Sequence, residues 1–269
     1  MNRISNRRGI FSWFGIELPL DERLRLIEEA GFDSTSVWLG EEEELVRDGK
    51  EHLIPELVRS HELFFENVHA PFDNCNRIWS DNSSIRDEIR EEYNSCISFC
   101  SRYNVPIVVI HISRGDDAPE FNEHGLDVIK EIVKDAEDSN VIVAIENTRK
   151  PQYLDRIYSN IESPSLGFCY DSSHDFMCNP EPGVILGKWG HLLVATHLSD
   201  NDGVFDKHWL PGVGSIDWEI VRSYFPKDSY TGFLTLEVVP KADEQELAKP
   251  FLERAFEKIL WIEKLLTRT

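Results

Sequence analysis

Short runs of β-branched and aromatic residues alternate along the whole chain with longer amphipathic stretches. This alternation predicts parallel strands covered by helices, because each parallel strand needs a crossover connection to reach the next. We place the eight predicted strands at Gly9–Trp13, Ser34–Leu39, Phe64–His69, Pro106–His111, Val141–Glu146, Leu166–Tyr170, Leu193–His197 and Phe233–Val238. Eight strand–helix repeats are the number that closes a (β/α)8, or TIM, barrel, and this is the predicted α/β fold.

Three helices are clearly marked in the same pattern. Leu20–Ala30 has apolar residues at helical spacing, and Gly31 follows it, a residue that tolerates the left-handed conformation at a helix end. Ile85–Tyr103 gathers its apolar residues on one face, and Glu244–Leu266 is predicted as the closing helix. The acidic run Glu41–Glu44 is predicted to be a solvated loop or the start of a helix, because a run of charges usually forms an exposed face.

The length and composition of the chain fit one large domain. Its 269 residues are near the typical size of a single (β/α)8 barrel. With 41% hydrophobic and 29% charged residues, the chain can bury a sizeable core, which excludes disordered and fibrous classes. The sequence contains no Gly/Ser-rich linker or low-complexity tract that would mark a boundary. We therefore predict a single barrel domain over residues 1–269.

Acidic residues strongly outnumber basic ones. The 28 Lys and Arg residues against 49 Asp and Glu residues give a formal net charge of −21. A surface this negative repels phosphate backbones and anionic lipids, so neither nucleic acid nor a membrane is expected as a partner. No apolar stretch approaches the length of a membrane span. Glu17 and Asp21 interrupt the apolar run that follows the basic start, so a signal peptide is not expected.

The cysteines give the expected compartment. They number five, which is odd, and form no C-x-x-C pair, whereas a secreted scaffold would normally pair its cysteines in disulfides. We interpret them as reduced, mostly buried thiols and expect a cytoplasmic protein.

Strands three to eight each end in a histidine or a carboxylic acid. These residues are His69, His111, Glu146, Asp171, His197 and Glu237. In a (β/α)8 barrel the carboxyl ends of the strands form the rim where active sites lie. A single histidine after an apolar strand is more often structural, but six such residues in succession are an improbable accident. Because burying these groups is costly without a counter-charge, we predict that a divalent cation binds among them.

Two local patterns extend this rim. Segment 171–174 (DSSH) places a second imidazole just beyond the sixth strand, and segment 206–208 (DKH) follows the seventh. In the second segment, alternate side chains of an extended chain face the same side. His174, Asp206 and His208 are therefore candidates for a second metal site; the alternative is that they are ordinary loop residues.

Aromatic residues near the predicted rim are candidates for the wall of a sugar pocket, because flat apolar rings cover the C–H face of a sugar. They are Trp13, Phe14, Trp38, Phe72 and Trp209. Packing in the core explains any one of them about equally well. Arg114, Arg149 and Lys150 lie just past strand ends and are candidates to contact a phosphate, although exposed cations there are more often only solvated.

Six segments carry a resemblance to a known family. They are NVHAPF (67–72), VVIHIS (108–113), VAIENT (143–148), CYDSSHD (169–175), ATHLSDNDGVFDKHWLPGVGSIDW (195–218) and LTLEV (234–238). With these motifs the sequence resembles the xylose isomerase-like barrel superfamily over nearly its whole length. That superfamily includes sugar-phosphate isomerases and epimerases and also the class II apurinic endonucleases, so the motifs are more specific for the superfamily than for the reaction.

In the isomerase and epimerase branch, the resemblance implies one divalent ion bound by Glu146, Asp171, His197 and Glu237. Mn2+ is expected first, with Mg2+, Co2+ or Zn2+ as alternatives. Glu146 and Glu237 would also transfer protons through an enediolate of a small sugar, sugar phosphate or polyol. By family analogy, the chain is expected to form a homodimer or homotetramer.

The same interpretation assigns substrate contacts to six further residues. They are His69, His111, His174, His208, Trp13 and Phe72. The histidines would alternatively orient the ligands or complete an additional metal site. Epimerases of this kind often place an arginine beyond the seventh-strand histidine to hold substrate, whereas this chain has Lys207 and His208 there, so the substrate stays open.

In the endonuclease branch, a metal cluster has nine ligands, and this chain has a matching residue for each. They are His69, His111, Glu146, Asp171, His174, His197, Asp206, His208 and Glu237. The net charge favours the sugar enzyme, because a nuclease that bends DNA needs a basic face. Segment 211–218 also looks like the loop-to-helix entry of the isomerase branch, with Ser215 or Asp217 as its cap. A non-catalytic barrel that binds a sugar is the remaining alternative.

Overall fold

The structure, a computed structural model, describes residues 7–179, 181–241 and 247–268. The strands in these ranges are β1 (Arg8–Phe11), β2 (Ser34–Trp38), β3 (Phe64–His69), β4 (Ile107–Ile110), β5 (Ile142–Glu146), β6 (Leu166–Asp171), β7 (Leu193–His197) and β8 (Leu234–Leu236). They form one sheet in the order β7-β6-β5-β4-β3-β2-β1-β8, and every ladder in it is parallel.

A short contact between β7 and β8 closes the sheet into a barrel. Leu198, just after β7, forms an isolated parallel bridge with Leu236. Its amide donates to the carbonyl of Thr235 at 2.8 Å, and its carbonyl accepts from the amide of Glu237 at 3.2 Å. The predicted (β/α)8 barrel is therefore confirmed.

Helices cover the outside of the barrel. They are α1 (Leu20–Ala30), α2 (Glu43–Arg47), α3 (Leu53–Ser60), α4 (Ser83–Tyr103), α5 (Glu123–Asp138), α6 (Gln152–Tyr158), α7 (Ser172–Cys178), α8 (Val184–Trp189), α9 (Trp218–Tyr224) and α10 (Ala248–Thr267), with short 3-10 helices at Cys75–Trp79 and Gly190–Leu192. The predicted first helix is confirmed, and it ends at Gly31 with a φ of 99°. The predicted start of the closing helix at Glu244 lies outside the described residues.

The hydrophobic core has two parts. The larger lies between the sheet and the helices, and the smaller lies inside the barrel. The smaller cluster consists of Val109, Ala144, Cys169 and Ala195. Because side chains alternate along a strand, the residues two positions further on point to the same interior at the carboxyl rim. Those residues are His111, Glu146, Asp171 and His197. The apolar layer thus forms the floor of a polar site.

A bulge in β3 brings a further acid into the interior. The register with β2 skips Glu66 between Phe65 and Asn67. The Glu66 carboxylate accepts hydrogen bonds from the hydroxyls of Ser34, Ser36 and Thr235. Gly9 borders this cluster, and a Cβ there would collide with Thr235 Oγ1. Polar donors therefore solvate a buried acid below the rim.

The acidic run after β2 is less exposed than its sequence suggests. Glu42 is buried and forms an ion pair with the buried Arg23. The same guanidinium donates to the carbonyl of Ser12 at 3.1 Å. The prediction of a solvated face is wrong for Glu42, because a cation on a distant segment supplies its counter-charge. The predicted helix start is confirmed, since α2 begins at Glu43.

The cysteines are unpaired in the structure. Four are buried, and Cys178 is half-buried. The prediction of mostly buried thiols without disulfides is confirmed. Within the described ranges, no helix combines the length and the apolar character needed to cross a bilayer.

Candidate metal centre

The side chains that end three neighbouring strands meet inside the rim. Glu146 ends β5, Asp171 ends β6 and His197 ends β7, and the register pairs Asp171 directly with His197. Glu237 follows β8 by one residue. Glu146, Asp171 and His197 are fully buried, whereas 26% of the Glu237 side chain is exposed. Glu237 therefore lies at the boundary between this buried group and the solvent.

The ring nitrogen Nδ1 of His197 lies at the middle of this group. It is 2.8 Å from Glu146 Oε2 and 3.1 Å from Glu237 Oε2. The ligand atoms of Asp171, His197 and Glu237 all lie within 4.8 Å of one another. The structure thus brings the four predicted ligands together; that they bind a metal stays a prediction.

Several buried atoms of the group lie close to one another but form no well-directed hydrogen bond among the described residues. They are Glu146 Oε2, Asp171 Oδ2, His111 Nε2 and both ring nitrogens of His197. Leaving such an atom unsatisfied costs about 1–3 kcal/mol. Asp171 shows the division clearly: its Oδ1 accepts from the amide of His174 at 2.6 Å and caps α7, while Oδ2 is left without a donor. These carboxylates and this imidazole fit a divalent cation.

Two more histidines face Glu146 from β3 and from the residue after β4. His69 Nε2 lies 3.3 Å from Glu146 Oε2, and His111 Nε2 lies 3.2 Å from Glu146 Oε1. The opposite ring nitrogen of His69 lies 2.7 Å from the carbonyl of Ala70. The structure therefore places these two of the four predicted substrate-contact histidines against a predicted metal ligand.

Asp206 lies between the remaining two histidines. Its Oδ2 is 3.0 Å from His174 Nε2 and 3.1 Å from His208 Nε2. His174 also lies 2.9 Å from Glu146 through Nδ1, which links this trio to the central group. His208 adopts a φ of 48°, a left-handed conformation that turns the loop back toward Glu237. The predicted second ligand set is assembled, and its occupancy by metal stays a prediction.

The buried acids have opposite protonation tendencies. Burial favours the neutral form of Glu146, but the imidazoles of His111 and His197 outweigh it and hold its pKa well below the usual range. Burial dominates at Asp171 and raises its pKa to about 7. Without a cation, the neighbouring imidazoles therefore stabilise the ionised form of Glu146 but do not offset the burial of Asp171.

Two of the histidines, His174 and His208, have raised pKa values. Burial favours the neutral ring of His174, but Asp171 and Asp206 raise its pKa well above the usual value. Burial is likewise overcome at His208, whose pKa is raised to about 10 by Glu237 and Asp206. Protons on these rings thus supply the positive charge that a bound cation would bring.

Asn147, the residue after β5, fixes the position of Asp171. Its side-chain oxygen accepts from the amide of Asp171 at 2.8 Å, and its side-chain nitrogen donates to the carbonyl of the same residue at 2.8 Å. This two-point contact locks the end of β6 onto β5. A ligand held through its own backbone loses little freedom on binding.

Asp200 organises the loop that carries Asp206 and His208. Its Oδ1 accepts from the amide of Ile216 at 3.0 Å. Its Oδ2 accepts from the amide of Gly212 at 2.8 Å and from the indole of Trp218 at 3.0 Å. One buried carboxylate therefore ties both ends of this long loop together.

The entry to α9 agrees with the sequence. The Asp217 side chain accepts from the amides of Glu219 and Ile220, which confirms the predicted cap at one of its two candidate positions.

Two neighbouring spaces open above the centre, of about 240 Å³ and about 170 Å³. Both are lined by His69, Phe72, His208 and Glu237. Trp13 and Trp38 line the smaller space, and the Trp38 ring stacks on Phe72 at 5.2 Å. The predicted aromatic wall is therefore assembled in part.

Two members of the predicted wall lie elsewhere. Phe14 is fully buried and stacks on Phe251 in the outer core, whereas its neighbour Trp13 lines the smaller space at the rim. Trp209 borders a separate small pocket, with the Lys241 ammonium 4.5 Å from its ring centroid. Packing explains both residues.

A groove of about 620 Å³ beside α10 contains none of the predicted site residues.

Strand periodicity would have found two residues that the sequence interpretation missed. Phe11, the last residue of β1, lies two positions before Trp13, and its ring meets His197 edge-on at 4.8 Å. Cys169 lies two positions before Asp171, and its sulfur is within 4.8 Å of ligand atoms of Glu146 and His197. Ser113, Thr148 and Met177 also line the larger space and had no clear sequence signal.

A parallel barrel with buried carboxylates and imidazoles at its carboxyl rim defines a (β/α)8 protein with a candidate metal centre. The chain belongs to the xylose isomerase-like TIM barrel family, whose family model matches residues 24–258. The resemblance carried by the sequence motifs is thereby confirmed.

Two curated proteins illustrate the similarity in sequence. Fructoselysine 3-epimerase of Escherichia coli O157:H7 is 23% identical over 256 residues, which cover 87% of this chain and 90% of that protein. The uncharacterized protein y4fM of Sinorhizobium fredii is 29% identical over 154 residues, or 52% of this chain. The match covers only half, 50%, of the length of y4fM.

Solved structures show the same fold. D-psicose 3-epimerase from Clostridium cellulolyticum H10, with D-tagatose, gives a TM-score of 0.77 at 14% identity and covers 97% of this chain and 100% of its own. A D-tagatose 3-epimerase-like protein gives a TM-score of 0.74 at 21% identity, with coverage of 97% and 98%. At these identities the likeness concerns the fold.

Proposed function

We propose that the protein is a metal-dependent sugar isomerase or epimerase that moves a proton on a carbon next to a carbonyl group. The observation that carries this proposal is the convergence of Glu146, Asp171, His197 and Glu237, several of whose buried ligand atoms form no well-directed hydrogen bond among the described residues. The sugar epimerases to which the chain is similar support the substrate class.

Glu146, Asp171, His197 and Glu237 would hold one divalent cation, with Mn2+ first among the metals that suit an oxygen-rich set. When bound, such a cation polarises a carbonyl group and stabilises negative charge on its oxygen. Phe11 packs edge-on against His197 and limits rotation of that ring. This packing therefore helps to orient the ring nitrogens of His197.

Glu146 and Glu237 are assigned the proton transfers. Both carboxylates contact His197 Nδ1, and both have a lowered pKa despite burial because of neighbouring imidazoles, so they are ionised acceptors at neutral pH. Glu237 faces the cleft. One glutamate would remove the proton from the substrate carbon and the other would return it on the opposite face.

The remaining cleft residues are assigned to substrate binding. The stacked rings of Trp38 and Phe72, together with Trp13, offer a flat apolar surface for the C–H face of a sugar. His69, His111, His174 and His208 would contact hydroxyl groups or complete a second metal site with Asp206. Location in the cytoplasm and assembly into a homodimer or homotetramer stay predictions from the sequence.

Solvent-deuterium exchange tests this proposal. We expect Glu237→Gln in the Mn2+-loaded protein to slow deuterium incorporation into ketoses such as D-tagatose, D-psicose and L-ribulose by at least about 100-fold, because it removes one proton carrier. Metal content should change little, since the amide oxygen can still coordinate. Glu56→Gln, an exposed change of equal charge on α3, serves as the matched control.

Wild-type exchange rates in Glu237→Gln would contradict the assignment. Binding of metal and sugar without any exchange in the wild type would favour a non-catalytic sugar-binding barrel.

A metal-dependent nuclease for abasic DNA is the second candidate. The observation in its favour is that His69 and His111 surround Glu146 while Asp206 lies between His174 and His208, so all nine matching residues lie around one cleft. Metal analysis separates the two candidates: one ion per chain supports the sugar enzyme. Three zinc ions per chain with incision of abasic duplex would support the nuclease.

A further inference from the structure

Two arginines from neighbouring loops line the larger space beside the metal centre. Arg114 follows β4, and Arg149 follows β5. Their side chains are 52% and 29% exposed. Among the described residues of this lining, they are the cations besides the histidines, whereas Lys150 is not part of it. The protein as a whole has a net charge of −21 and should repel anions, so a pair of arginines in the cleft is a local exception.

The backbone around each arginine is held in place. The side chain of Asn76 accepts from the amide of Arg114 at 2.8 Å and donates to the carbonyl of Arg114 at 2.9 Å. Thr148, which precedes Arg149, shares a buried hydroxyl–hydroxyl hydrogen bond of 2.6 Å with Ser113. The two loops are therefore anchored to each other and to the barrel, and the guanidinium groups extend from fixed points.

The present partners of both guanidinium groups are acids exposed at the surface. Arg114 pairs with Asp73, whose side chain is 73% exposed, and lies 5.2 Å from the Phe72 ring centroid. Arg149 Nε lies 3.8 Å from Asp116, whose side chain is 88% exposed. Exposed ion pairs of this kind contribute little, so exchanging them for an anion inside the cleft costs little.

The cleft is asymmetric across the centre. The smaller space is lined by aromatic and aliphatic residues with His69, His208 and Glu237, and its described lining contains no Lys or Arg. The larger space carries both arginines and the hydroxyls of Ser113 and Thr148. A neutral sugar would leave both guanidinium groups paired only with these exposed acids, whereas a carboxylate or phosphate in the cleft accepts their paired N–H donors.

We propose that Arg114 and Arg149 form a subsite for an anionic group carried by the sugar substrate. The apolar face of the sugar lies toward Trp13 and Trp38, the reacting carbons lie at Glu237, and the carboxylate or phosphate lies between the two arginines. This inference rests on the proposed function and narrows its substrate class to sugar acids or sugar phosphates.

Binding measurements on the Mn2+-loaded protein test the subsite. The probes are D-glucitol, D-gluconate and D-glucitol 6-phosphate, which differ in having no anion, a carboxylate or a phosphate. We expect one anionic probe to bind at least about tenfold more tightly than D-glucitol, and Arg114→Gln and Arg149→Gln each to reduce that preference by about tenfold or more. Comparing the two anions identifies the group.

Three comparisons make the result decisive. Arg102→Gln, which removes an exposed arginine of α4 that pairs with Glu51, should leave the preference unchanged. Arg114→Lys and Arg149→Lys retain charge and should keep part of the preference; they carry the test if a glutamine variant fails to fold. An anion preference that persists in both glutamine variants would mean direct coordination by the cation, and it would overturn the proposal.

Deuterium exchange on the same samples separates this inference from the proposed function. Arginine-dependent anion binding without exchange into any anionic or neutral ketose would overturn the enzyme assignment and leave the subsite standing. Exchange into neutral ketoses, with anion binding that is weak or indifferent to both arginines, would overturn the subsite and leave the enzyme assignment standing.

Discussion

Three histidines at the rim share one arrangement of their ring nitrogens. In His69, His174 and His208, Nδ1 lies 2.7, 3.1 and 3.1 Å from a backbone carbonyl, and Nε2 faces a carboxylate. A carbonyl only accepts, so Nδ1 carries the hydrogen in each ring. A neutral ring then presents a lone pair to a carboxylate, and two acceptors in contact need a proton or a cation between them.

Metal binding should therefore expel protons. The pKa values of His174 and His197 lie well above their usual value, which means that both rings are protonated in the metal-free protein at neutral pH. Because a cation competes with those protons, Mn2+ affinity should rise as the pH is raised through roughly 6 to 8. Calorimetry in buffers of different ionisation enthalpy measures the protons released. An affinity independent of pH would contradict this account.

Glu66 gives a pH-dependent prediction for stability. Burial raises its pKa above the model-peptide value of 4.5, although hydroxyl donors oppose the shift. An acid whose pKa is raised on folding stabilises the fold most below its unfolded pKa, and this contribution is lost as the pH rises through the folded value. Glu66→Gln does not titrate, so its free energy of unfolding should improve relative to wild type as the pH rises from about 4 to 8.

Urea unfolding at several pH values measures this difference, with Glu56→Gln as the exposed control. A constant offset between Glu66→Gln and wild type at every pH would show that Glu66 does not titrate as the structure indicates.

At the level of elements, the sequence was most informative where a period repeats. Helix α1 and the inward-facing ends of β5 to β7 follow directly from helical and strand periodicity, so the ligand positions could be predicted. Contacts between distant segments could not. The burial of Glu42 depends on Arg23, and the place of Trp209 depends on a bridge to Asp200, neither of which leaves a local pattern.

The loop after β7 is the clearest example, because the buried Asp200 carboxylate binds backbone and side-chain donors from its far end. Asp200→Ala leaves several amide and indole N–H groups without an acceptor, so we expect a loss of about 2–4 kcal/mol in the free energy of unfolding. Hydrogen exchange should accelerate over residues 200–216, and the contacts of Asp206 and His208 should loosen. Asp217→Ala, which removes only the cap of α9, should cost about 1 kcal/mol. Equal costs for the two variants would contradict the role given to Asp200.

At the scale of the whole molecule, the charge distribution and the ligand set favour different chemistry. The nine rim residues match those of a nuclease cluster, while the formal net charge is −21. Binding to duplex DNA gains most of its affinity from cations that replace condensed counterions on the phosphates. Two arginines in a cleft of about 240 Å³ fit one anionic group better than an extended backbone.

We therefore predict that the protein binds DNA only weakly and without sequence specificity. In fluorescence anisotropy with a duplex that contains an abasic site, the Zn2+-loaded protein should bind with a Kd weaker than about 10 µM at physiological salt. Lowering the salt should produce only a shallow gain in affinity, because few cations neutralise phosphates and the remaining surface repels them. Tight binding with a steep salt dependence would require a basic surface that offsets the excess of acids. Together with incision of the strand, it would move the function from sugars to DNA on the same barrel.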